Sequence, residues 1–148
     1  MHDTERLAAE SACRDLVMKA ALRTDAGDHD GFAALFALDA VVTRPGGQPL
    51  QGRDAILASY RSRPADRITR HVVTNCVVEV ESPTQARATS YVQVWSATAG
   101  ADATPFGLKA HDRIALGEFC DRFVQVPGED WRIASRQARF VMHTGGDA

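Results

Sequence analysis

The sequence lacks the short motifs that mark the commonest cofactor, metal and nucleophile sites. It contains no H-E-x-x-H, no C-x-x-C, no G-x-G-x-x-G, no P-loop and no G-x-S-x-G. The acid-histidine-acid run at residues 28–30 is better explained by helix capping than by metal binding. The pattern therefore predicts no metal and no cofactor, and it gives no support to serine hydrolysis.

Cysteine is also scarce, because only Cys13, Cys76 and Cys120 occur, far apart and in apolar or periodic segments. An odd number at such positions favours reduced core thiols over a disulfide framework or a metal cage, and predicts a cytoplasmic protein. The charged N-terminus lacks the apolar core of a signal peptide, and no apolar run approaches the roughly 18 residues of a membrane span. We therefore expect no association with a membrane.

A strong charge of either sign is missing as well. The net charge is −2, the pI is near 6.2 and the arginines are scattered, which argues against nucleic acid or an anionic membrane surface as a partner. A small, neutral ligand is the better expectation. With 148 residues, 45% of them hydrophobic, the chain fits one domain over residues 1–148.

Helix-forming patterns occupy the first part of the chain. Residues 4–25 form an amphipathic helix with Asp3 or Thr4 as its cap, and Asp28 can cap a second helix over residues 29–36. A short strand then ends at the Pro-Gly-Gly turn that begins at residue 45, and a third helix covers residues 53–63. These segments predict three N-terminal helices.

From residue 68 onward the pattern changes to long strands rich in β-branched and aromatic residues. They cover residues 68–82, 85–98, 113–126 and 131–144, with turn formers between them. Four consecutive strands predict an antiparallel meander. The fold class is therefore α+β, with the three helices packed on one face of a curved antiparallel sheet and a pocket between the layers.

The last hairpin permits a register prediction. If residues 127–130 form its loop, Val126 faces Trp131, and counting outward places Asp121 opposite Arg136. A cross-strand ion pair would fix the hairpin, so Asp121 is expected to be structural first and a polar group of the pocket second.

Six pieces of the chain, in this order and spacing, resemble the SnoaL-like branch of the nuclear transport factor 2-like superfamily. After the first helix they are TDAGDHDGFAALFALDAVV, LQGRDAILASY, TRHVVTNCVVEVES, ARATSYVQVW and CDRFVQVPGEDWRIASR. The resemblance implies a cone-shaped α+β barrel that encloses an apolar pocket, assembled as a homodimer or a small homo-oligomer. The superfamily also includes non-catalytic members, so the fold alone does not fix a function.

The resemblance also implies a site. In scytalone dehydratase and hexachlorocyclohexane dehydrochlorinase an aspartate after the first helix pairs with a histidine on the first long strand, and these positions match Asp25 and His71. The ketosteroid isomerase base corresponds to Arg44, which disfavours that chemistry. The second active-site histidine of scytalone dehydratase corresponds to Gln93 or Trp95, so only the Asp–His pair carries over.

Both residues of this pair also have structural interpretations. Asp25 could simply begin a loop and accept hydrogen bonds from nearby amides, and His71 could bond to Asn75 or to a backbone carbonyl. Strand alternation places Val73 and Asn75 on the face of His71. If the two side chains meet, Asp25 fixes the tautomer of His71, which becomes a general base for abstracting a proton from carbon.

Such a base needs a group that assists the leaving group. Tyr60 is the first candidate, followed by Tyr91, Gln93 and Arg44. Aromatic side chains are expected to line the pocket and bind a hydrophobic, ring-containing molecule; the candidates are Phe32, Phe36, Trp95, Phe106, Phe119 and Phe140. Each of these residues also has a structural interpretation, as part of the core packing or of the surface.

Two functions from different classes follow. One is a cofactor-free lyase or isomerase of the dehydratase or elimination type, with Asp25, His71 and Tyr60 as catalytic residues. The other is a non-catalytic binding or assembly module, like a dioxygenase small subunit. The sequence leaves open the substrate and whether residues 96–112 form a lid.

Overall fold

The computed structural model describes residues 1–100 and 103–146. In these residues the helices and two strands form the first part of the chain, and long strands follow. The elements are α1 Asp3–Asp25, α2 His29–Ala33, β1 Phe36–Thr43, β2 Leu50–Gln51, α3 Arg53–Arg61, β3 Arg67–Ser82, β4 Gln85–Thr98, β5 Ala115–Gln125 and β6 Trp131–His143. Within the described ranges, no helix combines the length and the apolar character that crossing a membrane requires.

The helices differ from the predicted ones mainly at their ends. The N-cap of α1 is His2, whose backbone N–H donates to the Glu5 carboxylate over 2.9 Å, and not Asp3 or Thr4. Asp28 caps α2 as predicted, accepting from the Gly31 N–H over 2.9 Å. However, α2 ends three residues earlier than predicted, because Phe36 is taken into strand β1.

All six strands form one sheet in the order β2-β1-β6-β5-β4-β3. The meander from β3 to β6 is antiparallel as predicted, but β1 pairs with β6 in parallel, so the sheet is mixed. No strand was predicted between the Pro-Gly-Gly turn and the third helix, yet Leu50–Gln51 pairs with β1 as β2. The α+β class holds, with a mixed sheet in place of an antiparallel one.

The alternation of side chains between the two faces of the sheet is interrupted in the middle of strand β3. Asn75 has a φ of 52°, and the pairing of β3 with β4 shifts between Thr74 and Val77. Asparagine tolerates this left-handed conformation better than most residues, so a β-bulge forms there. Asn75 is therefore exposed and does not share a face with His71, contrary to the alternation count, which held only as far as the bulge.

The β5–β6 hairpin contains the predicted pair. Trp131 faces Gln125 and not Val126, so the hairpin begins one residue out of the predicted register. A β-bulge further along the hairpin restores the register, and Asp121 lies opposite Arg136 as predicted. Two offsets of one residue cancel, which is why the count from the loop reached the correct partners.

The core lies between the helices and the inner face of the sheet. Its largest fully buried side chains come from α1, α2, α3 and strands β1, β5 and β6, and they include Val17, Phe32, Phe36, Val42, Ile56, Phe123 and Ile133. Cys13 is part of this core, and burial raises the pKa of its thiol to about 12. Cys120 is exposed, because its position on β5 faces away from the helices, so the expectation of core thiols fails there.

Candidate functional site

A cavity of about 480 Å³ opens between the helices and the inner face of the sheet. Residues from α1, α2, α3, β1 and each strand from β3 to β6 contribute to its wall. The wall combines aromatic and aliphatic side chains with polar and charged ones, and the volume lies within the range of about 300–1,000 Å³ that is common for ligand pockets. Both His71 and Tyr60 line it.

Asp25 and His71 meet at the edge of this cavity. Asp25 is the last residue of α1, and His71 lies near the start of β3, which packs against that helix. The His71 Nδ1 is 2.6 Å from Asp25 Oδ1, and the His71 backbone N–H donates to Asp25 Oδ2 over 2.8 Å. The contact implied by the resemblance is thus present. Asp25 does accept from a backbone amide, as its structural interpretation expected, but that amide belongs to His71, and the His71 ring bonds to Asp25 and not to Asn75 or a backbone carbonyl.

Thr69 completes the surroundings of the aspartate. Its hydroxyl donates to Asp25 Oδ1 over 2.9 Å, from two residues before His71 on the same face of β3. The helix dipole disfavours a negative charge at the C-terminal end of α1, so these donors compensate for an unfavourable position. Burial alone would raise the pKa of Asp25, but the hydrogen bonds from His71 and Thr69, together with the charge of a protonated His71, hold that pKa below its ordinary value.

An ionised Asp25 fixes the tautomer of the histidine. A carboxylate only accepts hydrogen bonds, so Nδ1 of His71 carries the proton in this contact. The other ring nitrogen, Nε2, has no hydrogen-bond partner among the described residues, and His71 lines the cavity. In the neutral ring Nε2 is an acceptor, and it is therefore free to take a proton from a bound molecule.

Tyr60 lies in the same wall, on helix α3. Its ring packs on Phe32 with the centroids 4.3 Å apart, and the side chain is buried. Two guanidinium groups also lie on this ring: the Cζ of Arg63 is 4.2 Å from its centroid and that of Arg44 is 5.2 Å away. Tyr60 is therefore both a packing residue and a cavity residue.

Three predicted binding residues lie elsewhere. Tyr91, Gln93 and Trp95 are on the outer face of β4, and none of them lines the cavity, whereas the alternate residues Val92 and Val94 do. Side chains of a strand alternate between its faces, and the prediction chose the set on the outer face because it followed residue type, aromatic or hydrogen-bonding, and not the side of the strand. Trp95 donates from Nε1 to Gln93 Oε1 over 3.2 Å on that outer face.

Among the other candidate aromatic residues, Phe32, Phe119 and Phe140 line the cavity. Phe36, the first residue of β1, is fully buried in the core and does not line the cavity. Phe106 is fully exposed. For residues 96–112 the sequence left open whether they form a lid; their described part contributes nothing to the cavity wall, and residues 101 and 102 lie outside the described residues.

Sequence reasoning missed several polar residues of the wall. Thr69 could have been found, because strand alternation places it on the same side of β3 as His71. Arg63 stands in the connection between α3 and β3, where no periodicity indicates a direction, and Arg67 is the first residue of β3, just before the predicted start of that strand. In the part of the chain that the structure describes, no group of three or more histidine, cysteine, aspartate or glutamate residues is arranged to hold a metal ion.

Comparison with known proteins agrees with this fold. A family model described as a SnoaL-like domain matches residues 5–137. No curated protein matches the chain significantly in sequence.

Solved structures resemble the chain over nearly its full length. A proposed scytalone dehydratase from Novosphingobium aromaticivorans aligns with a TM-score of 0.81 at 23% identity, covering 99% of this chain and 93% of the other. A hexachlorocyclohexane dehydrochlorinase from Novosphingobium barchaimii has a TM-score of 0.81 at 19% identity, with 97% and 93% covered. A protein of unknown function from Mycobacterium tuberculosis reaches 0.70 at 26% identity, with 88% and 70% covered. Most of these identities are low, so what they establish is the shared fold.

Proposed function

The chain belongs to the SnoaL-like domain family, and from this premise we propose that it is a cofactor-free lyase or isomerase of the dehydratase or elimination type. His71 is its general base, Asp25 orients that base, and Tyr60 assists the leaving group. Two of the similar folds are named as a dehydratase and a dehydrochlorinase, which supports this class of reaction.

One observation carries the proposal. His71 is held through Nδ1 by an ionised carboxylate 2.6 Å away, and its other nitrogen has no partner among the described residues at the wall of a cavity. A protein that only carries a ligand has no need to place a base beside it. A proton acceptor in this geometry is what abstraction of a proton from carbon requires.

The reaction steps follow from the positions of these groups. Nε2 of His71 takes a proton from a carbon of the bound molecule, and the resulting imidazolium is stabilised by Asp25. The electron pair of the broken C–H bond forms a double bond, and a hydroxyl or halide on the neighbouring carbon leaves with its own electron pair. Tyr60 can donate a hydrogen bond or a proton to a departing hydroxyl, which then leaves as water; in an isomerisation the proton returns to another carbon.

The expected substrate is a small, hydrophobic molecule with a ring. The cavity has an apolar part of its wall formed by Phe32, Phe119, Val92 and Val94. Its volume of about 480 Å³ suffices for one or two rings. In this proposal the helices and the sheet form the cone-shaped barrel that encloses the apolar pocket. The wall also contains arginines.

Assembly and location are further parts of the proposal. We expect a homodimer or small homo-oligomer, since the outer face of the sheet exposes large apolar side chains, among them Val72, Tyr91 and Trp95. Exposed apolar surface of this kind is typical of a protein contact. We also expect this assembly to be in the cytoplasm, as the number and positions of the cysteines predict.

The test compares two histidine variants on a panel of small ring compounds. Each compound carries a hydroxyl or halide next to an acidic C–H bond, in a carboxylate form and a neutral form, and loss of water or halide is followed by mass spectrometry. His71→Gln removes the base. His111→Gln is the matched control, because His111 is exposed and its two ring nitrogens contact Ser96 and Thr98 over 3.0 Å outside the cavity.

We expect turnover by the unaltered protein and by His111→Gln, and a fall of about 10²–10⁴-fold in kcat/KM for His71→Gln. Exchange of the substrate C–H for deuterium in D₂O should disappear in the same variant. Turnover that survives in His71→Gln would refute the assigned base. If no compound turns over but several bind, the binding-module function takes the place of the enzyme.

A further inference from the structure

Five arginines line the cavity, and carboxylates neutralise only two of them. Arg136 is paired with Asp121 over 2.7 Å, and Arg139 with Glu118 over 2.7 Å. The remaining three have no carboxylate partner among the described residues; they are Arg44, Arg63 and Arg67. A chain with a net charge of −2 therefore concentrates unpaired positive charge at its cavity.

Two of these three arginines lie on the same aromatic ring. Arg63 and Arg44 approach Tyr60 with Cζ-to-centroid distances of 4.2 and 5.2 Å. Arg44 also donates to the Ser59 hydroxyl, which fixes its position at the end of β1. Stacking on a ring and bonding to a neutral hydroxyl hold a guanidinium in place without using its charge.

This arrangement is electrostatically unfavourable without a bound anion. Burial lowers the pKa of Arg63, and the nearby charges of Arg44 and Arg67 lower it further, against the opposing influence of Tyr60 and Asp25. Asp25 is not the missing partner, because its ion pair among the described residues is with His71 and not with any of these arginines. Like charges held together in a half-buried wall cost free energy, which a bound anion would offset.

We propose that the cavity binds a ring compound carrying a carboxylate, which Arg63 holds together with Arg44. The planar guanidinium matches a carboxylate through two parallel hydrogen bonds, as no neutral partner in the wall does. The ring then lies on the apolar wall beside His71. This proposal rests on the proposed function for the use of the cavity, and it replaces the neutral ligand that the overall charge favours.

A carboxylate fixed in this way also serves the chemistry. It orients the ring so that one C–H bond is presented to Nε2 of His71, and the arginines stabilise negative charge that develops on the oxygens when the proton leaves. Arg63 and Arg44 are binding residues in this scheme, and His71 alone takes the proton.

Benzoate and benzamide test the proposal directly, because they share shape and differ in charge. Binding of each to the full chain is measured by titration calorimetry and by shifts of backbone NMR signals. We expect benzoate to bind the unaltered protein at least about tenfold more tightly than benzamide, and the preference to disappear in Arg63→Gln. Arg87→Gln removes an equal charge from an exposed pair with Glu79 and should keep the preference.

Arg44→Gln provides a second variant if Arg63→Gln does not fold, and it should reduce the preference as well. Equal affinity for the two probes, or no binding of benzoate, overturns the proposal, and so does a preference that survives in both arginine variants. His71→Gln should retain the benzoate preference even though it abolishes turnover. Loss of catalysis and loss of carboxylate recognition are thereby measured separately, so either proposal can fail without the other.

Discussion

The two least exposed pairs of a carboxylate with a basic side chain among the described residues differ in the hydrogen-bonding atoms that each leaves without a partner. Asp121 and Arg136 face each other on neighbouring strands with two hydrogen bonds, of 2.7 and 2.9 Å. Their side chains are 1% and 5% exposed. Asp25 and His71 join the end of a helix to a strand, and their side chains are 10% and 14% exposed.

The Asp121–Arg136 pair uses its charges to satisfy each other. Burial alone would lower the pKa of Arg136, but Asp121 raises it, and the guanidinium also lies 3.9 Å above the Phe119 ring. In the Asp25–His71 pair both carboxylate oxygens accept hydrogen bonds. Nε2 of His71 has no hydrogen-bond partner among the described residues, and this histidine lines the cavity. A satisfied pair can stabilise a fold, whereas chemistry requires a group with an unused site.

Removing the buried acid should have the largest effect. Asp121→Ala leaves Arg136 as an unpaired buried charge, and we expect the free energy of unfolding to fall by about 3–5 kcal/mol. Urea unfolding followed by circular dichroism measures this change. Glu118→Ala is the matched control, because its pair with Arg139 is more exposed and should contribute about 0–1 kcal/mol. Similar losses in both variants would contradict the structural role assigned to Asp121.

Changing the acid of the other pair should act mainly on the rate. Asp25→Asn keeps the size of the side chain but removes the charge that stabilises the imidazolium, so kcat/KM should fall by about 10²-fold or more. The loss of unfolding free energy should be smaller than in Asp121→Ala, since the site is partly exposed. Rates on the compound panel and urea unfolding of the same variant give the two numbers. A variant that unfolds readily yet retains the rate when folded would reverse the comparison.

The smallest effect should appear in the acid dependence of stability. The pKa of Asp25 is lower in the folded chain than in the unfolded one, so its ionisation stabilises the fold above the unfolded pKa of about 3.9. That contribution is lost as the pH falls through the folded pKa. The difference in unfolding free energy between the unaltered protein and Asp25→Asn should shrink as the pH falls below about 4. A difference that grows below that pH would contradict this sign.

Much of the fold was accessible from periodicity and turn residues. Strand β4 was predicted with its observed bounds, and the Asp121–Arg136 pair was predicted from a simple count. The predictions were wrong where the pairing of a strand depends on residues distant in the sequence. The parallel pairing of β1 with β6 and the bulge at Asn75 depend on partners far away in the chain, which a single segment does not specify.

Some residues of the candidate site were likewise predictable from the sequence, and others were not. Asp25 and His71 came from a resemblance together with the chemistry of each residue type, and they are in contact. Tyr91, Gln93 and Trp95 were assigned to the wrong face of β4, because the type of a residue does not specify the face of the sheet on which its side chain lies. Arg63 was missed, because it stands in an irregular connection.

The sequence by itself determined the α+β class, the order of the elements and the residue types available for proton transfer, because hydrophobic periodicity and turn chemistry act over short distances. Only the tertiary structure decided which groups meet. Joining Asp25 to His71 spans 46 residues, and gathering Arg44, Arg63 and Tyr60 brings β1, α3 and the connection after α3 together. Such contacts follow from how helices pack on a particular sheet register, and that register depends on bulges and parallel pairings set by the whole chain.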